Sequence, residues 1–162
     1  MRYSNIIFLL FIIVALLGVM AIRKLTRKNR KTRRRASKDN FQVQHKNILG
    51  NNLAPCSTGQ QKTTGYYRDG YCSTGPTDTG THVVCARMDD TFLNFTKSKG
   101  NDLITPRNSF PGLVAGDKWC LCALRWKEAH AAGKAPKIFP ESTSDVITQY
   151  VTKNTILKYG VN

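Results

Sequence analysis

Thr81-His82-Val83-Val84-Cys85-Ala86-Arg87-Met88, followed by Asp89-Asp90-Thr91-Phe92-Leu93-Asn94-Phe95-Thr96-Lys97-Ser98-Lys99-Gly100, holds two hydrophobic periods back to back. Over 81–88 the β-branched residues and a roughly two-residue alternation predict a strand. From Asp89 onward the pattern changes. Asp89 or Asp90 can cap a helix whose apolar residues are Phe92, Leu93 and Phe95, and Lys97, Lys99 and Gly100 supply its stop. A strand that runs into a helix within twenty residues sets the expected class as α+β.

Downstream, residues 101–117 contain Pro106 and Pro111 among turn formers and read as a long ordered loop. Trp119, Cys122 with Ala123, Trp126 and Ala129 then recur at helical spacing, which predicts a helix over 119–132 ended by Gly133. Lys118–Cys122 also fits the start of a strand. Ala135–Phe139 reads as an edge strand, because Pro136 has no amide to give to a ladder. Two short helices are expected to close the chain, one capped by Thr143 or Ser144 and one by Thr152. Upstream, residues 47–80 are rich in Gly, Thr, Ser and Asn and predict turns and short strands. They contain one tetrapeptide twice, Cys56-Ser57-Thr58-Gly59 and Cys72-Ser73-Thr74-Gly75.

The N-terminal third differs in kind. Ile6 to Ile22 is a run of seventeen residues without a charge. As a helix it extends roughly 26 Å; with Tyr3, Ser4 and Asn5 it approaches the hydrocarbon thickness of about 30 Å. Residues 23–46 carry eleven Lys/Arg against the single acid Asp39, whereas residues 47–162 carry thirteen against nine. The formal charge of +15 is therefore mostly a property of the linker. Basic residues placed directly after the apolar run keep that side in the cytosol, which favours an anchor over a cleaved signal peptide.

The expected organisation is a transmembrane anchor at 1–22, a flexible basic linker at 23–46 and a soluble globular domain at 47–162. The N-terminus lies outside, and the domain is cytosolic or faces the interior of a virion. In the linker Arg23, Lys24, Arg27, Lys28, Arg30, Lys31, Arg33, Arg34, Arg35 and Lys38 are candidate contacts for anionic lipid headgroups. Nucleic acid is the alternative partner for the same charges. Ser37 follows Arg34-Arg35-Ala36 and is a candidate phosphorylation site whose phosphate would weaken lipid attraction.

The chemistry of the globular part rests on five cysteines, Cys56, Cys72, Cys85, Cys120 and Cys122. On a cytosolic face reduced thiols are expected, and an odd count excludes complete internal pairing. His82, Cys85, Cys120 and Cys122 supply the four soft ligands that zinc wants. On a regular strand, however, His82 and Cys85 point to opposite faces. Ordinary buried cysteines are the reading favoured over a metal site. For a catalytic cysteine, Arg68, His82 and Arg125 are the candidate partners. Asp69, Asp102 and Asp117 adjoin Gly or Asn, which favours turn formers over acids. No serine-hydrolase elbow, His-Glu-x-x-His, dinucleotide fingerprint or P-loop is present.

Several blocks in order then give a likeness. Asn47-Ile48-Leu49-Gly50, Leu53-Ala54-Pro55-Cys56, Thr64-Gly65-Tyr66-Tyr67-Arg68-Asp69-Gly70 with Cys72, and Gly80-Thr81-His82-Val83-Val84-Cys85-Ala86 resemble a mainly bacterial family, domain of unknown function 2237. Gly100-Asn101-Asp102-Leu103, Phe110-Pro111-Gly112-Leu113, Gly116-Asp117-Lys118-Trp119-Cys120-Leu121-Cys122-Ala123 and Arg125-Trp126-Lys127-Glu128-Ala129 extend the resemblance over 47–160. It implies a compact soluble domain and brings no established activity. The apolar and basic N-terminal segments depart from that pattern, as does Tyr71, where members often carry a second cysteine.

The expected architecture is one small α+β domain of short strands and several short helices, preceded by one transmembrane helix. The expected function is a membrane-anchored binding or scaffolding module. Its first alternative is a cysteine/histidine metal protein or enzyme, with zinc as cofactor and Arg68, Asp69, His82, Cys85, Asn101, Asp102, Trp119, Cys120, Cys122 and Arg125 as the candidate site. The second is a virion or organelle membrane protein whose linker meets nucleic acid.

Overall fold

A β-bulge decides what this domain presents to solvent. Strand β1, His82–Arg87, pairs antiparallel with β2, Lys118–Cys122. Cys85 lies opposite Cys120 and His82 opposite Cys122, so three steps on β1 match two on β2, and the register slips between His82 and Val84. The additional residue shifts the alternation by one. His82 therefore shares a face with Cys85, Cys120 and Cys122, correcting the opposite-face expectation for a regular strand.

The computed structural model describes residues 45–59 and 61–161, together with Met20. The predicted anchor, the basic linker contacts and Ser37 lie outside the described residues, Met20 and the last linker residues 45–46 apart. Among the described residues no helix is long and apolar enough to cross a membrane. The described residues from 45 onward form one compact unit.

The second face of the strand pair builds the apolar core. Val84, Ala86, Trp119 and Leu121 pack with Phe92 and Leu93 of helix α1 (Asp90–Ser98) and with Trp126 and Ala129 of helix α2 (Ala123–Ala131). Ile138, Ile147 and Ile156 close the core from the C-terminal segment. Helix α1 forms as expected: Asp89 caps it by accepting from the Phe92 amide at 2.7 Å. Ser144 caps a 3-10 turn at Asp145–Gln149, and Thr152 caps helix α3, Lys153–Leu157, by accepting from the Thr155 amide.

The helix expected over 119–132 is corrected. Its first residues are β2, and helix starts only at Ala123. Trp119, Cys122, Trp126 and Ala129 have helical spacing, but Cys120 must face Cys85 across the ladder, and that pairing fixes Lys118–Cys122 as strand. The edge strand expected at 135–139 reduces to one residue. Ile138 bridges Ala86 on one side and Gly160 on the other, without extending a ladder. Between 47 and 80 the described residues form turns and isolated bridges instead of strands. This segment is latched to the far end of the chain: the Ile48 amide donates to the Thr143 carbonyl at 2.9 Å, and the Asn47 side-chain amide donates to the Glu141 carbonyl at 3.0 Å.

The expectation of five reduced thiols is also corrected. Cys56 is bonded to Cys85 and Cys72 to Cys120, leaving Cys122 as the free thiol. The four paired cysteines are buried in one cluster with Phe139 packed against it.

Candidate thiol–imidazole–carboxylate site

The site begins with a turn. Asp78 accepts in three directions: from the His82 amide at 2.7 Å and the Thr74 hydroxyl at 3.0 Å through Oδ2, and it lies 2.6 Å from His82 Nδ1 through Oδ1. Its carboxylate is wholly shielded from solvent. Thr81, between the turn and β1, adopts a left-handed φ of 49° and accepts the Ala123 amide at 3.0 Å. That bond ties the start of β1 to the start of α2. It places His82 beside Cys122, the residue that caps α2.

His82 Nε2 lies 3.1 Å from Cys122 Sγ. Cys122, His82 and Asp78 thus form one chain of thiol, imidazole and carboxylate. The Cys122 side chain makes no hydrogen bond to the first turn of α2. Cys122 is half-buried and lies at the end of a helix where the aligned peptide dipoles favour negative charge. Gly80 makes the approach possible. A Cβ there would stand 2.5 Å from His82 Cε1, closer than packed atoms tolerate, and 3.1 Å from Cys122 Sγ, a tight contact. Tyr66 covers the imidazole, its ring stacked at 5.9 Å and its hydroxyl donated to the Thr77 carbonyl.

The electrostatics arise from these contacts. The hydrogen bond to Cys122 raises His82 most, burial works against it, and the bond to Asp78 with the charges of Cys122 and Asp78 adds further. The net effect moves His82 from 6.5 to about 9. Burial pushes the Asp78 carboxyl upward, but the bonds from the His82 amide, the His82 ring and Thr74 outweigh it and hold the group below its ordinary value. At neutral pH the arrangement is therefore an imidazolium between a carboxylate and a sulfur. A nucleophilic cysteine uses this relation, because a neighbouring base or cation favours the thiolate and the third group orients the base.

The sequence-derived candidates divide. His82 and Cys122 meet; Cys85 and Cys120 share their face but are held in disulfides, so the proposed zinc quartet is not assembled as four free ligands. Arg68 is exposed, with its guanidinium 4.9 Å from the centre of the buried Trp119 ring. Asp69 accepts from the Tyr71 amide in a turn. Asn101 donates to the Thr96 hydroxyl at the end of α1. Asp102 accepts from the Thr105 amide and hydroxyl and from the Ile104 amide, contacts that hold its carboxyl far below the ordinary range. Arg125 donates to Glu128 and to the Lys99 carbonyl. Among the described residues, none of these five polar side chains hydrogen-bonds to Asp78, His82 or Cys122. The sequence reading does not single out Asp78, Tyr66 or Gly80. The signal for two of them is Asp78-x-Gly80-x-His82, an acid, a residue without a side chain and a base within five positions.

The buried cysteines form a separate feature. The sulfurs of Cys56, Cys72 and Cys85 lie within 4.8 Å of one another, a spacing that a metal ion could bridge were they not bonded in pairs.

Comparison with known proteins places the chain. No curated protein matches it. The model of a family described as "Uncharacterized protein conserved in bacteria (DUF2237)" matches residues 46–160, which include the strand pair, the thiol–imidazole–carboxylate chain and every cysteine. With more than two thirds of its length matched, the chain belongs to this DUF2237 family of uncharacterized proteins conserved in bacteria.

Proposed function

We propose that the domain is an enzyme of nucleophilic cysteine chemistry, with Cys122 as nucleophile, His82 as acid and base, and Asp78 as the group that orients His82. The observation that carries this reading is the alignment of Cys122 Sγ, His82 Nε2, His82 Nδ1 and Asp78 Oδ1 through contacts of 3.1 and 2.6 Å. The reaction class is acyl transfer to water or another acceptor. The sulfur attacks a carbonyl carbon and forms a C–S bond. As the leaving group departs, it takes the proton from His82. Water then gives a proton to His82 and attacks the thioester, and the C–S bond breaks to free the Cys122 sulfur with His82 again protonated. Asp78 keeps Nδ1 protonated, so Nε2 is the atom that exchanges the proton.

Incubation of the full chain with p-nitrophenyl acetate, read by nitrophenolate release and intact mass, tests this. The expected result is an early burst with one acetyl group on Cys122. Both are expected to vanish in Cys122→Ser and His82→Asn. Release without a Cys122 adduct, or an adduct indifferent to His82, overturns the assignment.

For the N-terminal segment we propose a membrane tether that leaves the domain on the cytosolic side, supported by seventeen uncharged residues followed by a net +10 over 23–46. Binding of the linker to anionic lipid rests on the same charges. Co-sedimentation of residues 23–162, without the apolar run, with vesicles containing phosphatidylserine should fall when residues 23–38 are also deleted. An unchanged signal removes the lipid contact. A salt-sensitive shift of mixed DNA without vesicle binding transfers the role to nucleic acid.

A further inference from the structure

The repeated tetrapeptide has a place in the fold that the acyl-transfer reading does not use. Each copy begins with a buried cysteine followed by a buried serine, and in each the Thr-Gly pair lies further out. The first copy delivers Cys56 and the second Cys72 to the same face of the strand pair, where Cys85 and Cys120 stand directly opposite each other. Two matching loops and two facing strands thus place four sulfurs around one point. The Cα atoms of the bonded pairs are 5.6 and 5.2 Å apart.

We propose that these four sulfurs, once reduced, form a tetrathiolate site for a soft divalent ion of the zinc type. A tetrahedral ion with metal–sulfur bonds of about 2.3 Å needs sulfurs about 3.8 Å apart. Cys56, Cys72 and Cys85 already lie within 4.8 Å of one another, and Cys120 is bonded to one of them, so side-chain rotation supplies the change. Two loops and a strand pair that bring cysteines from distant parts of the chain also supply the closed, water-free donor set of a structural site. All four side chains are at most 1 % exposed. Lys118, with Nζ 4.0 Å from the centre of the Phe139 ring that packs on the sulfurs, puts a positive charge near the negative complex. The chemistry balances with an external dithiol as reductant. Each disulfide takes two electrons and two protons while a dithiol is oxidised to its own disulfide. Binding one divalent ion then forms four metal–sulfur bonds and releases four protons. In an oxidising compartment the same residues are two staples, and in a reducing one they are a metal centre. Cys122 is not a member.

The full chain, purified in mild detergent, is reduced with excess dithiol and desalted without oxygen. It is then titrated with Co(II), followed by native mass spectrometry with Zn(II). The expected result is thiolate-to-cobalt charge-transfer absorption that saturates at one ion per chain, and one zinc in the native mass. Both should be retained in Cys122→Ser and lost in the Cys56→Ser/Cys72→Ser double variant. A reduced chain that binds no ion, folded or unfolded by circular dichroism, overturns the proposal. So does a site that survives the double variant or disappears with Cys122→Ser.

Discussion

Raising the pH from 6 to 9.5 should destabilise this domain through one residue, His82. Its folded-state value is about 9 against 6.5 for a free imidazole, so the folded protein holds the proton more tightly than the unfolded chain. Linkage sets the sign. The contribution is fully present below about pH 6.5 and is lost as pH rises through about 9. At about 1.4 kcal/mol per pH unit the difference corresponds to about 3 kcal/mol. The His82 side chain is 32 % exposed, and solvent screening reduces this to about 2 kcal/mol. Asp78 acts at the other end: its lowered value gives stability above the ordinary carboxyl range that is lost as pH falls through the folded value. With a urea slope of roughly 1–3 kcal/mol per molar, the unfolding midpoint should fall by about 1 M between pH 6 and 9.5. His82→Gln should remove most of that fall. Cys122→Ser should reduce it, because the contact with Cys122 raises His82 most. Brief equilibration limits thiol exchange at the alkaline end. Equal falls in the wild type and His82→Gln would refute the reasoning.

Gly80→Ala should abolish the acetyl burst while leaving the fold intact, since its Cβ meets His82 Cε1 and Cys122 Sγ and no left-handed φ is required there; circular dichroism and activity together check this. Cys72→Ser/Cys120→Ser opens a closure spanning 48 residues and should cost about 4 kcal/mol on the loop-entropy model, measured by denaturant unfolding in air without added metal. Trp126→Ala removes a fully buried ring that donates to the Pro136 carbonyl and stacks on His130, and should cost about 3–5 kcal/mol in the same assay.

Much of the fold was readable because the signals were local. Asp89, Ser144 and Thr152 each cap the helical turn directly after them, and the alternation through Val83–Arg87 is a strand pattern that needs no knowledge of its partner. The features that could not be read depend on register. The bulge at His82–Val84 is set by how β1 meets β2, and it brings His82 to the cysteine face. Lys118–Cys122 has helical and strand periodicity at once, and only the pairing of Cys120 with Cys85 decides it. For the site, His82 and Cys122 both stand out in the sequence, yet as zinc ligands alongside Cys85 and Cys120. Asp78 does not, because an acid two residues before Gly80 reads as a turn former. The same residue is both: its backbone closes the turn and its carboxylate holds the imidazole.

The most direct test of the account is alkylation of the air-oxidised full chain with iodoacetamide at pH 7, located by peptide mass mapping and timed against free cysteine. The account predicts one adduct, on Cys122, formed faster than on free cysteine and slowed at least about tenfold by His82→Asn. A Cys122 that reacts no faster than free cysteine, or at a rate that His82→Asn leaves unchanged, would contradict it.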